Sequence, residues 1–503
     1  MNKALTMNRL IIPVLVFSFF LSIKPVTAQE VRKLSLDQVI RLAEEQSPLA
    51  LMAKHRFRAS YWQYRTYVAQ YRPALTLTGT TPDYSTAYNR VWNSQEGEWN
   101  YVSTNILQTI GSLSLLQNIG LTGGTIALQS DLTLETDLDK SRDEERNRYI
   151  TAPLSVRFVQ PLFRYNSLGW QKKTEPLRYE AARKTFLSNI ESVHMEAVRQ
   201  FFSLTLAQIN KQIAETNYLN ADTLYRMAQG RFNLGTIAED ELLQMQLSWL
   251  NSETARKEAD MNLKDRELRL RSFLGFNENV RLELTLPTSV PDLQVDVQEV
   301  IDLAHSNNPQ IINQQLNVLT AQSNLAQAKA EKGLNANLVA SFGLRDQDPV
   351  FRYAYQESNR QQTIRLGITL PILDWGLGRG RYLMARSSLE LAQVQSRQDQ
   401  VDFDQNLILD VEQFNLQAEQ VRIAAKSDTV AARMYEVTKA RFLIGKIAVL
   451  ELNNADTRKD TNRRAYVQAL QNYWTYFYNL RNLALYDFLN RRPLETNYEK
   501  LLD

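Results

Sequence analysis

The hydrophobic pattern along this chain changes period several times, and it does so twice in the same way. "PLSVRFVQPLF" alternates, with Leu154, Val156 and Phe158 on one side, and "TIRLGITLPIL" repeats the alternation with Ile364, Leu366 and Ile368. Apolar residues two apart line one face of a β-strand. "ALTLTGT" and "LNANLVASFGL" precede these segments, so each half predicts a pair of strands. After each pair the pattern lengthens. No proline interrupts the 110 residues between Pro176 and Pro287, or the 121 between Pro371 and Pro493. Proline breaks helix interiors, so such gaps permit very long helices. The stretch from Leu168 to Gly230 would reach roughly 90 Å as a helix. Ala207, Ala214, Ala221 and Ala228 fall seven apart along it, and Ala424 and Ala431 repeat two of those positions. A seven-residue spacing of small residues predicts supercoiled helices in close approach.

The two halves are copies. "RFNLGTIAEDEL" from Arg231 and "RFLIGKIAVLEL" from Arg441 agree at seven of twelve positions, 210 residues apart. Tyr225 and Tyr435, and Pro161 and Pro371, share that offset. Nearer the N-terminus "LSLDQVIRLAEEQSP" aligns with "VDVQEVIDLAHSNNP" at an offset of 261. The first copy therefore carries about 51 extra residues between Leu77 and Leu154. A tandem duplication with one insertion sets the expected boundaries: first repeat 29–286, with an inserted hairpin region about 83–150, and second repeat 287–503. Gly235 and Gly445 mark a stop between two helices in each copy. Thr236 to Glu239 reads as a capping box restarting the chain as helix, and Lys446 replaces the threonine in the second copy. Ser47-Pro48 and Asn308-Pro309 predict further helix starts, a capping residue before a proline at the first helical position.

Inside the insertion, Ile126, Leu128, Leu132 and Leu134 alternate after Gly123-Gly124, which predicts a hairpin. It either adds two strands to the sheet or folds outside the membrane, and the second is slightly favoured. The charged run "ETDLDKSRDEERNR" after it predicts a solvated loop. Aromatic residues stand at equivalent strand-to-helix junctions, Tyr165 and Trp375. An interfacial girdle and plain turn packing explain them about equally.

Composition narrows the function. Net charge is +3, from 58 basic and 55 acidic residues, which offers no case for nucleic acid. Absent cysteine removes disulfides, thiolate metal sites and a cysteine nucleophile. Residues 1–28 read as a secretory signal peptide: Lys3 and Arg9, an apolar run from Leu10 to Ile23, then Val26-Thr27-Ala28, with Gln29 as the expected mature start. Beyond it no run of 18 apolar residues occurs, so a membrane would have to be crossed by strands. "WGLGRGR" departs from dinucleotide spacing because Arg381 stands where a third glycine is needed. His55, His194 and His305 are scattered, and His305 aligns with Glu44 as if on an exposed helix face. With no repeated polar constellation, the sequence points to no enzyme, no cofactor and no metal.

Open-edged strands cannot sit in a bilayer unless every edge group finds a partner. Several copies closing one barrel would provide those partners. The expected fold is therefore mixed α and β, tandem helix–strand–strand–helix repeats in a homo-oligomer. The duplicated units, the "QPLF" and "LPIL" strand ends and the doubled glycine turn resemble the TolC-like outer membrane efflux proteins. That resemblance implies a homotrimer in the outer membrane of a Gram-negative-type cell. It would have a twelve-stranded outer-membrane β-barrel continuous with a long periplasmic α-helical barrel. It also implies a periplasmic adaptor, an inner-membrane pump of RND or ABC type, and contact with outer membrane lipid. Arg231, Gly235, Thr236, Glu241, Arg441, Gly445 and Lys446 would lie at the periplasmic tip where the adaptor docks. Glu451 falls where the family's first ring acid lies, and Asn454 takes the place of the second. Three Glu451 carboxylates about 10 Å apart would repel by roughly 0.4 kcal/mol per pair in water. An ordinary acid at a helix N-terminus is the competing reading of Glu451, since Glu241 holds the same place in the first copy. A periplasmic or cell-surface coiled-coil protein without a channel is the competing reading of the whole chain.

Overall fold

The computed structural model describes residues 31–139, 146–276, 280–444, 446–447 and 449–502. The expected signal peptide, Gly445 and part of the charged run lie outside them. The chain begins with β1 (Val31–Ser35), α1 (Leu36–Gln46) and α2 (Pro48–Ala69). Four strands follow: β2 (Ala74–Asn93), β3 (Glu98–Ile119), β4 (Gly124–Asp137) and β5 (Asn147–Leu162). Then come α3 (Ser167–Asn233), α4 (Glu239–Leu274) and β6 (Arg281–Thr285). The second copy runs α5 (Val297–Asn307), α6 (Pro309–Lys332), β7 (Asn335–Asp348), β8 (Asn359–Thr369), α7 (Leu377–Leu443) and α8 (Val449–Ala484).

The offsets read from the sequence recur in the elements. Helices α3 and α7 are both 67 residues long, α4 and α8 both 36. At 1.5 Å per residue each long helix extends about 100 Å. Such a length needs lateral support, and the heptad alanines supply a close seam: Ala207, Ala214, Ala221 and Ala228 are all buried. Ser47 caps α2 by accepting from the Ala50 N–H, and Asn308 caps α6 by accepting from the Gln310 N–H, each with proline next in line.

Helix α3 packs against α4, α8, α2 and α6, while α7 packs against α8 and α6. The main core gathers midway along α3 and α7. Phe201, Phe202, Leu270, Leu407, Phe414 and Leu470 are fully or almost fully buried there. The parallel pair β1–β6 and the short helices α1 and α5 wrap this level. Beside the core lies a buried ion cluster. Arg481 bridges Glu191 at 2.9 Å and Asp487 at 3.4 Å, and His194 sits 3.3 Å from both Glu191 and Glu44. His305 is not on a free helix face: its Nε2 lies 2.5 Å from Asp404 on α7, tying α5 to that helix.

The largest departure from expectation concerns the insertion. Its hairpin adds two strands to the sheet. The order is β2-β3-β4-β5-β7-β8, antiparallel throughout, with β3 and β4 paired along both edges. The large sheet of this chain therefore has six strands, not four. The alternation of Leu113 and Leu115 in β3 and of Ile126 and Leu128 in β4 matches that of the neighbours. A strand whose pattern agrees with both flanks is more stable in the sheet than beside it, because the ladder satisfies its backbone groups.

Candidate functional site

Three regions bear on function: the sheet, the strand-to-helix junctions and the helix tips. Register places Leu75, Leu115, Leu128, Val156 and Phe342 in one row across the sheet. Leu77 and Leu113 share that face on β2 and β3, as do Ile364, Leu366 and Ile368 on β8. The β8 residues are all exposed. The opposite face is polar. There Ser112 and Gln129 both donate to Asp131, and Gln108 and Arg148 both donate to Glu135. A sheet apolar on one face and charged on the other separates lipid from water. Among the described residues its two outer edges, on β2 and β8, have no partner strand. Among the described residues no helix is long and apolar enough to cross a membrane.

At the junctions the two aromatics behave differently. The Tyr165 hydroxyl lies 2.6 Å from Ser323 Oγ on α6 and is half-buried, so it packs the turn. Trp375 is 89% exposed, in a left-handed backbone conformation with φ 54°. Just before it the Asp374 carboxylate accepts from the N–H groups of Gly376 and Gly378. The positive end of α7 is thus occupied by the chain's own anion, so "WGLGRGR", a turn at Trp375-Gly376 followed by the first residues of α7, is no phosphate cradle.

At the tip α3 ends in a doubled return bond. Gly235, at φ 71°, directs its N–H to the Phe232 carbonyl, and the Thr236 N–H reaches the Arg231 carbonyl at 2.9 Å. Only a residue without Cβ adopts this conformation freely. The expected capping box is absent. Thr236 Oγ1 donates backward to the Arg231 carbonyl at 2.8 Å, and Ala238 precedes α4 with no side-chain cap. Glu239, Asp240 and Glu241 fill the first turn instead, so charge against the helix dipole replaces the missing cap. In the second copy the Lys446 N–H makes the matching bond to the Arg441 carbonyl at 3.0 Å. Arg231, Gly235, Thr236, Glu241, Arg441 and Lys446 are all exposed. The tips adjoin across a cleft of 360 Å³ lined by Met227, Ile237, Met245, Phe442 and Leu450, with Arg231 and Glu241.

Glu451 and Asn454, three residues apart, are both exposed on α8, while Leu452 and Ala455 turn the other way into a small core with Tyr435. A polar knot above this core was not legible in sequence. Tyr435 is buried and accepts from Asn220 Nδ2, and the Lys459 ammonium lies 4.0 Å from the centre of its ring. Lys459 also pairs with Asp456 at 2.5 Å and Asp460 at 3.4 Å, and Asn217 donates to Asp460. Burial raises the Asp456 pKa against the pull of Lys459. Burial works against the charge of Lys459, but the neighbouring carboxylates raise its pKa on balance. The repeat alignment pairs Tyr435 with Tyr225, which instead stacks on Trp249 at 5.7 Å. At the 210-residue offset Trp249 aligns with Lys459, so the same two positions meet in both halves, an indole on the ring in one and an ammonium in the other.

A sheet amphipathic across its two faces, continued by helices about 100 Å long, is the architecture of a strand-built membrane protein with a helical extension. The chain belongs to the outer membrane efflux protein family, whose model matches residues 114–276 and 300–484. No curated protein sequence matches. Solved channels share the fold at low identity. The Campylobacter jejuni CmeC outer membrane channel is 15% identical with a TM-score of 0.65, over 92% of this chain and 88% of that one. Vibrio cholerae VceC is 13% identical, TM-score 0.57, covering 89% and 95%. The open state of Neisseria gonorrhoeae MtrE is 14% identical, TM-score 0.51, covering 92% and 91%. Each half of the duplication is represented in the family match, and the chain is an outer membrane efflux channel.

Proposed function

We propose that this chain is the outer membrane exit duct of a tripartite exporter and works as a homotrimer. The observation that carries the reading is the six-stranded sheet with an apolar face and two unpaired edges. Such edges are untenable in lipid. Pairing β8 of one copy with β2 of the next removes every edge, and three copies then close one barrel of eighteen strands rather than twelve. The apolar rows face lipid, and the Glu135–Arg148 and Asp131 groups face the water-filled lumen. Helices α3, α4, α7 and α8 continue as a periplasmic tunnel. The residue set Arg231, Gly235, Thr236, Glu241, Arg441, Gly445 and Lys446 docks a periplasmic adaptor, which links the duct to an inner-membrane pump of RND or ABC type. Glu451 and Asn454 line the constriction near the tip. A ring with one acid per copy favours cations modestly, because its summed field acts at a narrow opening.

Conductance of the mature protein in a planar bilayer tests this, wild type beside Glu451→Gln. Discrete channels whose cation preference falls in the variant support both duct and ring. Unchanged selectivity returns Glu451 to a helix-terminal role. An inserted oligomer that never conducts defeats the duct.

A further inference from the structure

Strands β2 and β3 are longer than their neighbours. Tyr149 on β5 is level with Leu134 on β4, which is level with Thr109 on β3. Tyr149 packs edge-on against Phe351, and Phe351 against Tyr355, an aromatic cluster at the outer margin of the sheet. From Thr109 the β3 strand continues ten residues further, to Trp99, and over the last seven of them, 105 to 99, it is paired only with β2. At about 3.4 Å per residue, and a tilt of about 40°, this two-stranded ribbon rises roughly 25 Å beyond the aromatic margin.

Its faces differ. Trp92 pairs with Trp99, Arg90 with Tyr101, Tyr88 with Ser103 and Tyr84 with Leu107. Because β3 keeps its alternation, Trp99 and Tyr101 lie on the same face as Leu113 and Leu115, the lipid-facing side. That face of the ribbon continues the membrane surface outward, yet it carries rings instead of aliphatic chains. Tyr88 and Tyr101 are about three-quarters exposed, and Trp92 and Trp99 half exposed. The Arg90 guanidinium lies 5.0 Å from the Trp99 ring centre. From Tyr88 outward this face has no carboxylate, and among the described residues none pairs with Arg90. Exposed rings of this number are costly in water.

We propose that this ribbon binds the phosphorylated saccharide headgroups of glycolipid in the outer leaflet. The proposal rests on the outer membrane reading above. A saccharide layer begins where the hydrocarbon ends, which is where the ribbon begins. Its sugars offer flat C–H faces that stack on Trp and Tyr rings, and its phosphates complement a guanidinium already held against a ring.

The probe is the soluble, phosphorylated core oligosaccharide of a rough lipopolysaccharide, titrated against the detergent-purified full chain. The variants are the double change Trp92→Ser with Trp99→Ser, its counterpart Trp92→Phe with Trp99→Phe, and Arg90→Gln. The serine pair should weaken binding by about tenfold or more, as loss of two ring contacts implies, and the phenylalanine pair should restore most of it. Arg90→Gln should weaken the phosphorylated probe about fivefold while leaving the phosphatase-treated probe as wild type binds it. Equal binding by wild type and the serine pair overturns the proposal. So does a serine pair that binds normally but no longer sediments as an oligomer, since the ribbon would then be a contact between copies. A preparation that conducts in bilayers yet binds no oligosaccharide loses only this proposal. One that inserts and never conducts loses the duct reading, whatever the ribbon does.

Discussion

The buried His194 cluster makes stability depend on pH in a direction the structure determines. His194 is almost fully buried between Glu191 on its own helix and Glu44 on α1, with the Tyr478 ring edge-on at 5.5 Å. Burial works to lower its pKa, but hydrogen bonds and attraction from Glu191 and Glu44 outweigh that and raise it to about 9. The free imidazole titrates near 6.5. A group whose folded pKa is raised contributes stability that is complete below its unfolded value and is lost as pH rises through the folded one. The full difference corresponds to about 3 kcal/mol. The lowered pKa of Glu44 reports the same contact from the other side and is not added. His194→Gln keeps a polar, uncharged side chain in the same space. In urea unfolding of the mature protein in detergent, wild type should lose stability steadily between pH 6.5 and about 9, while the variant should be flat there. At pH 6 the variant should be weaker by about 2–3 kcal/mol. Near pH 10 the two should converge. Parallel curves for the two proteins across that window would refute the reasoning, because the proton would then be held equally well by the unfolded chain.

Other perturbations separate packing, backbone and lipid effects. At Gly124 an added Cβ would stand 2.9 Å from the Val159 carbonyl and 2.5 Å from Gln160 Oε1. Gly124→Ala should therefore cost about 1–3 kcal/mol and lower the yield of heat-resistant oligomer on gels. Gly235 has open space around it but φ 71°, so Gly235→Val should cost about 1–2 kcal/mol through backbone strain alone. Faster hydrogen exchange confined to the tip, over residues 231–240, would register it. Gly230→Ala, inside α3 and also in open space, should instead stabilise by about 0.5–1 kcal/mol. Phe342→Arg changes one exposed residue, the β7 member of the apolar row, without touching the ladder. It should cost about 2–4 kcal/mol per copy in lipid and leave folding in detergent nearly unchanged. Equal loss in both media would argue that this face does not meet lipid.

Much of the architecture was written in periodicity. Hydrophobic alternation, the proline gaps and the two offsets define strands, long helices and the 51-residue difference, because each depends on local geometry: a two-residue pleat, a ring that breaks helices, a glycine that turns left. The Ser47 and Asn308 caps were legible for the same reason, since cap and partner are neighbours in the chain. What needed the tertiary structure was every choice among partners. Whether β3 and β4 join the sheet turns on pairing with β2 and β5, and their alternation suits a free hairpin equally well. Thr236 has the side chain of a cap, yet the return bond to Arg231 at the end of α3 claims its hydroxyl before α4 begins. His305 looked like surface until Asp404, 99 residues away, came to meet it. That Tyr225 and Tyr435 each meet the same place on the following helix, Trp249 in the first half and Lys459 in the second, also became visible only there. The sequence by itself determined which segments are strand and which are helix. Long-range contacts, whose residues lie far apart along the chain, decided how many strands share one sheet and which side chains meet at its ends.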